Sequence, residues 1–384
     1  MRPSLSFWQQ LSLLWREIKE VFRFWRTPPE QKQIVFYAAQ AQYISYFEGI
    51  LNQLAAKGAA VCYLTADFDD PILTTTKQGL LPFYLNHTYP FVAPFIKTKV
   101  MVYTMPDLNL FHIRRSIFNP HHVFIFHSLC SAHMGLRANA LAHFDAVFCN
   151  GPYHVDEIRK LEAIYEQKPK TLVEVGYYRL EKIAKAHQEH RASKPEKPKP
   201  LVLIAPSWQL NNILEACGQE LVAALLQGEF EVVFRPHPMT IYKKPELLRE
   251  LRKQFGNNDN FRLDTKTVSE KYLHEADVMI CDWSGVAMEY ALGTERPVLF
   301  IDLPPKVHNP EFERVGLEPL ESSIRQQIGK VIAPEQVGQA TAVVQEFLAE
   351  RKKYEAAITR ARAENIFHFG DSPRVSADYI LSQL

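Results

Sequence analysis

Short apolar runs alternate with helix-patterned segments along most of the chain, and this alternation restricts the fold more than any other feature. In the first half such runs occupy residues 33–39 (QIVFYAA), 60–66 (AVCYLTA), 100–103, 123–127 and 146–149. Helical spacing separates them, as at residues 43–57 and 155–165. Continuous apolar runs of this length are typical of strands buried on both faces of a sheet. The alternation therefore predicts a parallel sheet covered by helices.

The same alternation resumes after residue 200. Strands are predicted at 201–205, 231–235, 261–263, 278–281 and 298–301, with helices at 212–226, 245–255, 269–275 and 285–292. Between the two halves, the polar segment AKAHQEHRASKPEKPKP is typical of a linker. Because 384 residues exceed what one core usually supports, we expect two Rossmann-like domains. The predicted bounds are 28–184, 185–200 for the linker, 201–365, and 366–384 for a C-terminal helix.

Composition restricts the compartment and the partners. The net charge of +1 gives no general attraction to nucleic acid, so anion binding must be local. The five cysteines lack close ligand spacing, which predicts buried thiols in a reducing compartment and no structural zinc. No run of 18 apolar residues occurs, so no transmembrane span is expected. We expect a cytoplasmic protein that uses neither a metal nor a cofactor.

Residues 1–27 predict an amphipathic helix. One face collects apolar residues at three- and four-residue spacing: Phe7, Leu11, Leu14, Trp15, Ile18, Phe22 and Trp25. Basic residues accompany them: Arg16, Lys19, Arg23 and Arg26. Three of the five tryptophans also lie in this segment. This combination favours a helix lying in a membrane interface. The alternatives are packing against its own domain and a seam between two copies of the chain.

The densest polar signal is VVFRPHP at residues 232–238, where an apolar strand ends at Arg235 and His237. In parallel α/β sheets, ligands bind at the carboxyl ends of the strands. An arginine there matches the geometry of phosphate oxygens, and a histidine can donate to the same group. The alternative is a loop with a surface arginine and a capping histidine. We predict a phosphate-binding turn.

A second turn, Asp282-Trp283-Ser284-Gly285, leads from a strand directly into a helix. Ser284 is predicted to cap that helix, and Gly285 leaves space for a phosphate at the helix N-terminus. Glu289 lies four residues beyond Gly285 and therefore on the same helix face, where its carboxylate can hold ribose hydroxyls. The alternative is a simple cap with a solvated glutamate.

Further candidate residues follow other predicted strands. Ser207 can bind an anion, and Trp208 can either stack on a ring or simply pack. In the first half, His127 ends the strand VFIFH, and Arg179 follows VEVGYY. A histidine at a strand end is a candidate general base for an acceptor hydroxyl. Other histidines compete for this role: His121, His122 and His133.

Two other kinds of site receive little support. Asp67-Phe68-Asp69-Asp70 resembles the metal motif of GT-A glycosyltransferases, but it follows a strand in the first half. Neither a GxGxxG nor a GxxxxGK[ST] motif is present, which disfavours a classical dinucleotide or P-loop site.

Together these residues resemble the CDP-glycerol glycerophosphotransferases of teichoic acid and related polymer synthesis. The resemblance is clearest over residues 201–301 and extends more loosely from about 120 to 375. In the second half it covers a strand end with proline (Ala205–Trp208), an Arg-x-His-Pro turn (Arg235–Pro238), and an Asp-aromatic-Ser-Ser/Gly turn (Asp282–Gly285) with an acidic residue, Glu289, four positions beyond. In the first half it covers a Gly-Tyr-x-Arg segment (Gly176–Arg179) and a loop that carries a histidine, His127. This chain differs in Ser-Leu-Cys after His127, in Trp208-Gln209, and in Glu rather than Asp at 289.

The resemblance implies a GT-B-like α/β fold in which two Rossmann-like domains face a cleft. It implies transfer of glycerol phosphate, or a similar polyol phosphate, from a CDP-activated donor to a hydroxyl of a membrane-linked glycan or polymer, with release of CMP. His127 and His237 would be catalytic, with donor contacts from Arg179, Ser207, Trp208, Arg235, His237, Ser284, Gly285 and Glu289. A protein peripheral to the inner face of the cytoplasmic membrane is expected, and it could form a homo-oligomer.

Two other functions stay open at the level of sequence. The first is a GT-B glycosyltransferase or epimerase that uses a UDP- or CMP-sugar. The second is an inactive membrane-associated scaffold that keeps the nucleotide fold. The second predicts loss of the polar motif residues, yet Arg235, His237, Ser284 and Glu289 are all present.

Overall fold

A computed structural model describes residues 6–111, 113–193, 199–266 and 270–384. The chain divides into two compact units. Unit 1 takes the described residues of Met1–Arg179, His308–Leu317 and Asn365–Leu384, and unit 2 takes those of Leu180–Val307 and Glu318–Glu364.

The first part of the chain alternates strands with helices. Its strands are β1 (Ile34–Ala38), β2 (Val61–Thr65), β3 (Leu80–Tyr84), β4 (Val100–Tyr103), β5 (His121–Ile125), β6 (Ala146–Cys149) and β7 (Thr171–Glu174). Its helices are α1 (Phe7–Arg26), α2 (Ile44–Ala56), α3 (Tyr89–Val92), α4 (Ala132–Gly135), α5 (Pro152–Ile164) and α6 (Tyr178–Ser193). The strands form a parallel sheet in the order β3-β2-β1-β4-β5-β6-β7.

The second part repeats this alternation. Its strands are β8 (Leu201–Ile204), β9 (Glu231–Phe234), β10 (Phe261–Leu263), β11 (Val278–Cys281), β12 (Val298–Ile301) and β13 (Gly329–Ile332). Its helices are α7 (Ile213–Ala216), α8 (Gly218–Gln227), α9 (Pro238–Lys243), α10 (Pro245–Phe255), α11 (Lys271–Glu275), α12 (Val286–Thr294), α13 (Leu320–Ser323), α14 (Arg325–Ile328), α15 (Ala340–Ala349) and α16 (Arg351–Asn365). The strands form a parallel sheet in the order β10-β9-β8-β11-β12-β13. The C-terminal helix α17 (Ser372–Ser382) belongs to unit 1.

Burial on both faces explains why the strands are continuously apolar. In β1, Val35 and Tyr37 join one hydrophobic cluster of unit 1, whereas Ile34, Phe36 and Ala38 join another. Successive side chains of a strand point to opposite faces of the sheet, so these are the two covered faces. A strand with apolar residues at every position is stable only in such a sheet.

The strand order indicates the edge of each sheet at which a ligand is expected to bind. In both units the order reverses beside the first strand, between β1 and β4 in unit 1 and between β8 and β11 in unit 2. In doubly wound sheets the loops diverge at this reversal and leave a crevice at the carboxyl ends of the strands. The predicted pair of parallel α/β sheets is confirmed, and the carboxyl edges are where functional residues belong.

Helix α1 packs on the rest of unit 1 through a face other than the predicted apolar face. Its buried residues are Glu17, Val21 and Phe24. The Glu17 carboxylate accepts hydrogen bonds from the Thr88 backbone N–H and hydroxyl, both at 2.8 Å, and from the Asn86 N–H at 3.0 Å. The apolar face remains largely exposed at Phe7, Trp8, Leu14, Trp15, Phe22 and Trp25. Among the described residues, no helix is both long and apolar enough to cross a bilayer.

The linker predicted over residues 185–200 is wrong for residues 185–193. Helix α6 continues to Ser193, and the boundary between the units follows Arg179. The helix buries Leu180, Ile183, Ala184 and His187 in unit 2. This spacing is one face of a helix, so the polar residues that suggested a linker form its exposed face. The remainder of the predicted linker includes residues 194–198, which lie outside the described residues.

Candidate active site

Three polar turns lie side by side at the carboxyl edge of the unit 2 sheet. They follow β8 (Ala205–Trp208), β9 (Arg235–Pro238) and β11 (Asp282–Gly285). Their strands are neighbours in the order β9-β8-β11, which includes the reversal between β8 and β11. The structure therefore brings together the three motifs that the sequence placed at separate strand ends.

The Asp282 carboxylate ties two of these turns together. One oxygen accepts the backbone N–H of Ser207 at 2.8 Å, and the other accepts that of Ile213 at 3.4 Å. Burial raises the pKa of Asp282, while the backbone and side chain of Ser207 and the backbone of Ile213 oppose that shift. Asp282 therefore fixes the geometry of the site, a role that the sequence pattern did not distinguish from ligand binding.

The prediction that Ser284 caps helix α12 is wrong. Gly285 occupies the N-cap position with helical backbone angles, φ −57° and ψ −22°, and no side chain among the described residues caps this end. The Ser284 carbonyl accepts the Ala287 N–H at 3.0 Å. The cap fails because the turn is already helical at Gly285, whereas a capping serine needs an extended backbone next to the helix. An N-terminus without a side-chain cap attracts anions through its N–H groups.

Glu289 lies in the first turn of α12 and is buried, with 6% of its surface exposed. It follows Gly285 by one helical turn, and its backbone N–H donates to the Gly285 carbonyl at 3.3 Å. The predicted shared face is thus present. A desolvated carboxylate is a stronger acceptor for hydroxyl groups than a solvated one.

His237 caps helix α9 and thereby fixes its own tautomer. Its Nδ1 accepts the Met239 backbone N–H at 3.1 Å, so the neutral ring carries its proton on Nε2. Burial and, less strongly, the nearby Lys306 ammonium lower the pKa of His237 to about 4. At neutral pH this side chain is therefore an uncharged hydrogen-bond donor.

Trp208 forms a partly exposed aromatic surface beside His237. The centroids of the two rings are 6.1 Å apart. The Lys243 and Lys306 ammonium groups lie 5.2 and 5.6 Å from the indole centroid, which is within cation–π range. These lysines add positive charge to the edge that carries Arg235. Sequence analysis missed them because neither belongs to a strand-end motif.

In unit 1, His127 follows β5 at the carboxyl edge of the sheet. Its Nδ1 lies 3.0 Å from the Thr104 carbonyl oxygen and 3.2 Å from the Thr104 hydroxyl. Because a carbonyl can only accept, Nδ1 carries the proton and Nε2 carries the lone pair of the neutral ring. This tautomer is the one that can accept a proton through Nε2.

Arg179 and His127 both contact Tyr46. The centroids of the Tyr46 and His127 rings are 6.1 Å apart, and the Arg179 guanidinium carbon lies 5.8 Å from the Tyr46 centroid. The segment leading to Arg179 needs Gly176, whose φ is +88° and whose added Cβ would lie 2.0 Å from the Phe367 carbonyl oxygen. The structure thus groups the two predicted unit 1 residues around one tyrosine.

The competing histidines occupy structural positions. His121 and His122 begin β5, at the opposite edge of the sheet from His127. His121 Nε2 lies 2.9 Å from the Tyr379 hydroxyl, and His122 Nδ1 lies 3.5 Å from the Asp145 carboxylate. His133 is buried with its Nδ1 3.2 Å from the Glu157 carboxylate.

The acidic segment near β2 shapes a loop. Asp67 accepts the Ala41 and Asp69 backbone N–H groups at 3.3 and 3.1 Å. Asp70 accepts the Ile72 backbone N–H at 3.0 Å and the Thr65 hydroxyl at 2.8 Å. Within residues 6–111, 113–193, 199–266 and 270–384, no cluster of three His, Cys, Asp or Glu residues is arranged to hold a metal.

Comparison with known proteins supports both the fold and the family. A model of the CDP-Glycerol:Poly(glycerophosphate) glycerophosphotransferase family matches residues 20–303. A search of curated protein sequences finds no match. The solved wall teichoic acid polymerase TagF is 12% identical, with a TM-score of 0.60 over 97% of this chain and 95% of its own. S. aureus MnaA, solved with UDP, is 12% identical, with a TM-score of 0.56 over 92% and 98%. These similarities confirm the predicted GT-B-like fold class.

We predict that the imidazole of His237 titrates near pH 4 without ligand and at a higher pH when a nucleotide diphosphate is bound. The charge of the diphosphate would stabilise the imidazolium and offset its burial. Histidine NMR signals followed from pH 3.5 to 8 measure both midpoints, with the signal of His121 as a control that the ligand leaves unchanged. A ligand-free midpoint near the ordinary value of about 6.5, or one that ignores the ligand, contradicts this assignment.

Proposed function

The chain belongs to the CDP-glycerol:poly(glycerophosphate) glycerophosphotransferase family, and we propose how its residues carry out the reaction. The enzyme is a polyol-phosphate transferase that uses CDP-glycerol. The family match includes every predicted site residue, from His127 to Glu289. The observation that carries the proposal is the grouping of three polar turns and a helix N-terminus at one edge of the unit 2 sheet.

In the proposed donor complex, the diphosphate of CDP-glycerol binds at this edge. Arg235 and Nε2–H of His237 donate to phosphate oxygens, and the N-terminus of α12 at Ser284–Gly285 faces the remaining charge. Glu289 accepts hydrogen bonds from the ribose hydroxyls. Ser207 and Trp208 complete the site, with Trp208 offering its partly exposed ring for stacking. The buried Asp282 keeps the turns in register.

The proposed chemistry is in-line displacement at the β-phosphorus. Nε2 of His127 takes the proton of the acceptor hydroxyl as its oxygen forms a bond to the phosphorus that bears the glycerol. The bond from that phosphorus to the bridging oxygen breaks, and CMP leaves with the bonding electrons. Arg179, Arg235 and His237 stabilise the negative charge on the transferring group and on CMP. Such a reaction depends mainly on positioning and electrostatic stabilisation.

We propose that the acceptor is a hydroxyl of a membrane-linked glycan or polymer and that α1 brings the enzyme to the inner face of the cytoplasmic membrane. The apolar face of α1 is unusually exposed, with Phe7 at 71%, Trp8 at 75% and Trp15 at 59%. Lys19, Arg23 and Arg26 can contact anionic headgroups. The Glu17 contacts hold the helix on unit 1 through its other side.

For the catalytic roles, we predict that His127→Ala and His237→Ala each abolish CMP release from CDP-glycerol. Loss of a general base costs on the order of 10²–10⁴-fold in rate, and loss of the Nε2–H donor weakens stabilisation of the diphosphate. His121→Ala is the matched control, because this histidine starts the same strand at the opposite edge. Near-normal turnover in the His127 and His237 variants, with folding verified by thermal melting, would refute the mechanism.

For the membrane role, we predict that Trp8→Ser combined with Trp15→Ser lowers binding to vesicles containing anionic lipid by about tenfold or more, because two large aromatic side chains leave the interface. Sedimentation with the vesicles measures binding, and Phe369→Ser serves as the exposed control. If the wild type ignores vesicles but self-associates in a manner that the double variant loses, α1 is a seam between copies and the membrane proposal fails.

A further inference from the structure

The backbone around His127 is held by a polar arrangement outside the predicted site. His127 lies near the start of the loop that runs from β5 to the short helix α4. Loops are intrinsically more variable than strands, yet a catalytic base must be held within about 0.5 Å of its productive position. Two residues at the end of β6 and the start of α5, Asn150 and His154, contact this loop on both sides of His127.

Asn150 fixes the carbonyl that follows His127. Its side-chain Nδ2 donates to the Ser128 carbonyl oxygen at 3.2 Å, and only 1% of the residue is exposed. The backbone of Asn150 is itself fixed, because its carbonyl accepts the Phe367 N–H at 2.9 Å and its N–H donates to Nδ1 of His154 at 3.2 Å. The amide is therefore presented from a rigid support.

His154 contacts the loop on either side of the His127–Ser128 pair, at Phe126 and at Cys130. Because its Nδ1 accepts from Asn150, its Nε2 carries the proton and donates to the Cys130 carbonyl oxygen at 2.8 Å. Its ring stacks on Phe126, the residue before His127, with centroids 3.7 Å apart. Burial lowers the pKa of His154 to about 3. The neutral tautomer that satisfies both bonds therefore persists at working pH.

We infer that Asn150 and His154 are positioning residues for the catalytic base, holding the backbone of His127 from both sides while the Thr104 carbonyl orients its ring. The contacts fall on Phe126, Ser128 and Cys130, so His127 cannot shift without breaking one of them. This inference rests on the proposed role of His127. Both residues are buried and contact the loop, so they would act on the base through its backbone.

A positioning role differs measurably from a contribution to stability alone. Helix α4, at which this loop ends, offers a matched control: Asn309 is also buried and donates its side-chain amide to the His133 carbonyl oxygen at 2.9 Å. That carbonyl lies six residues beyond His127. Asn150→Ala removes the amide donor of the Ser128 carbonyl. Asn309→Ala removes the amide donor of the His133 carbonyl and also the acceptor of the Glu311 backbone N–H. The control therefore loses at least as many hydrogen bonds and should lower the melting temperature at least as much.

The test measures kcat, the KM for CDP-glycerol and the melting temperature of these variants and of His127→Gln. We expect Asn150→Ala to lower kcat by about 30–100-fold, the scale of a displacement of about 1 Å, with a nearly unchanged KM for the donor. Asn309→Ala should keep kcat within about threefold of the wild type. Asn150→Asp preserves the shape but donates only when protonated, so its activity relative to the wild type should rise as the pH falls from 8 to 5.5.

The outcomes separate the two claims. If the His127→Gln variant is active, His127 is not the catalytic base, and the positioning inference fails together with the proposed mechanism. If His127→Gln is inactive while Asn150→Ala matches Asn309→Ala in kcat, the proposed function stands and the positioning role is overturned. If Asn150→Ala does not fold, the pH dependence of Asn150→Asp tests the positioning role instead. An activity of Asn150→Asp, relative to the wild type, that does not change with pH overturns the inference.

Discussion

A buried carboxylate, that of Asp282, holds together the polar edge of unit 2 at which we propose that the donor binds. The strand order reverses between the neighbouring strands β8 and β11, so the loops that follow them diverge. The sheet hydrogen bonds alone therefore do not hold the two turns together. Asp282 joins them by accepting two backbone N–H groups, those of Ser207 and Ile213. Losing a buried acceptor of this kind costs about 1–3 kcal/mol for each donor left unpaired. The proposed anion site therefore depends on a residue that need not touch the anion.

The two proposed catalytic histidines illustrate how the backbone selects chemistry. At His237 an N–H donates to Nδ1, which leaves Nε2 as a donor suited to phosphate oxygens. At His127 a carbonyl accepts from Nδ1, which leaves Nε2 as an acceptor suited to a hydroxyl proton. Opposite backbone partners thus give two identical side chains opposite roles. The low pKa of His237 also leaves the positive charge of this edge to Arg235, Lys243, Lys306 and the helix N-terminus.

The sequence was most informative where strand periodicity and a polar strand end coincided. Apolar runs identified β4, β6, β11 and β12 with their exact bounds. The edge strand β3 was not predicted, because Pro82 interrupts its pattern and is tolerated only at a sheet edge. Short-range patterns also could not show that α6 crosses the predicted linker or that Asn150 reaches Ser128. Those features depend on contacts between segments distant in sequence, and polar composition alone does not distinguish a linker from the exposed face of a helix.

We propose that the diphosphate of the donor binds at the edge formed by the turns after β8, β9 and β11. A crystal structure of the His127→Gln variant with CDP-glycerol tests it most directly, because slow turnover should preserve the donor. We expect phosphate oxygens within hydrogen-bonding distance of the Arg235 guanidinium, Nε2 of His237 and the backbone N–H groups that begin α12. A diphosphate bound away from these three groups would contradict it.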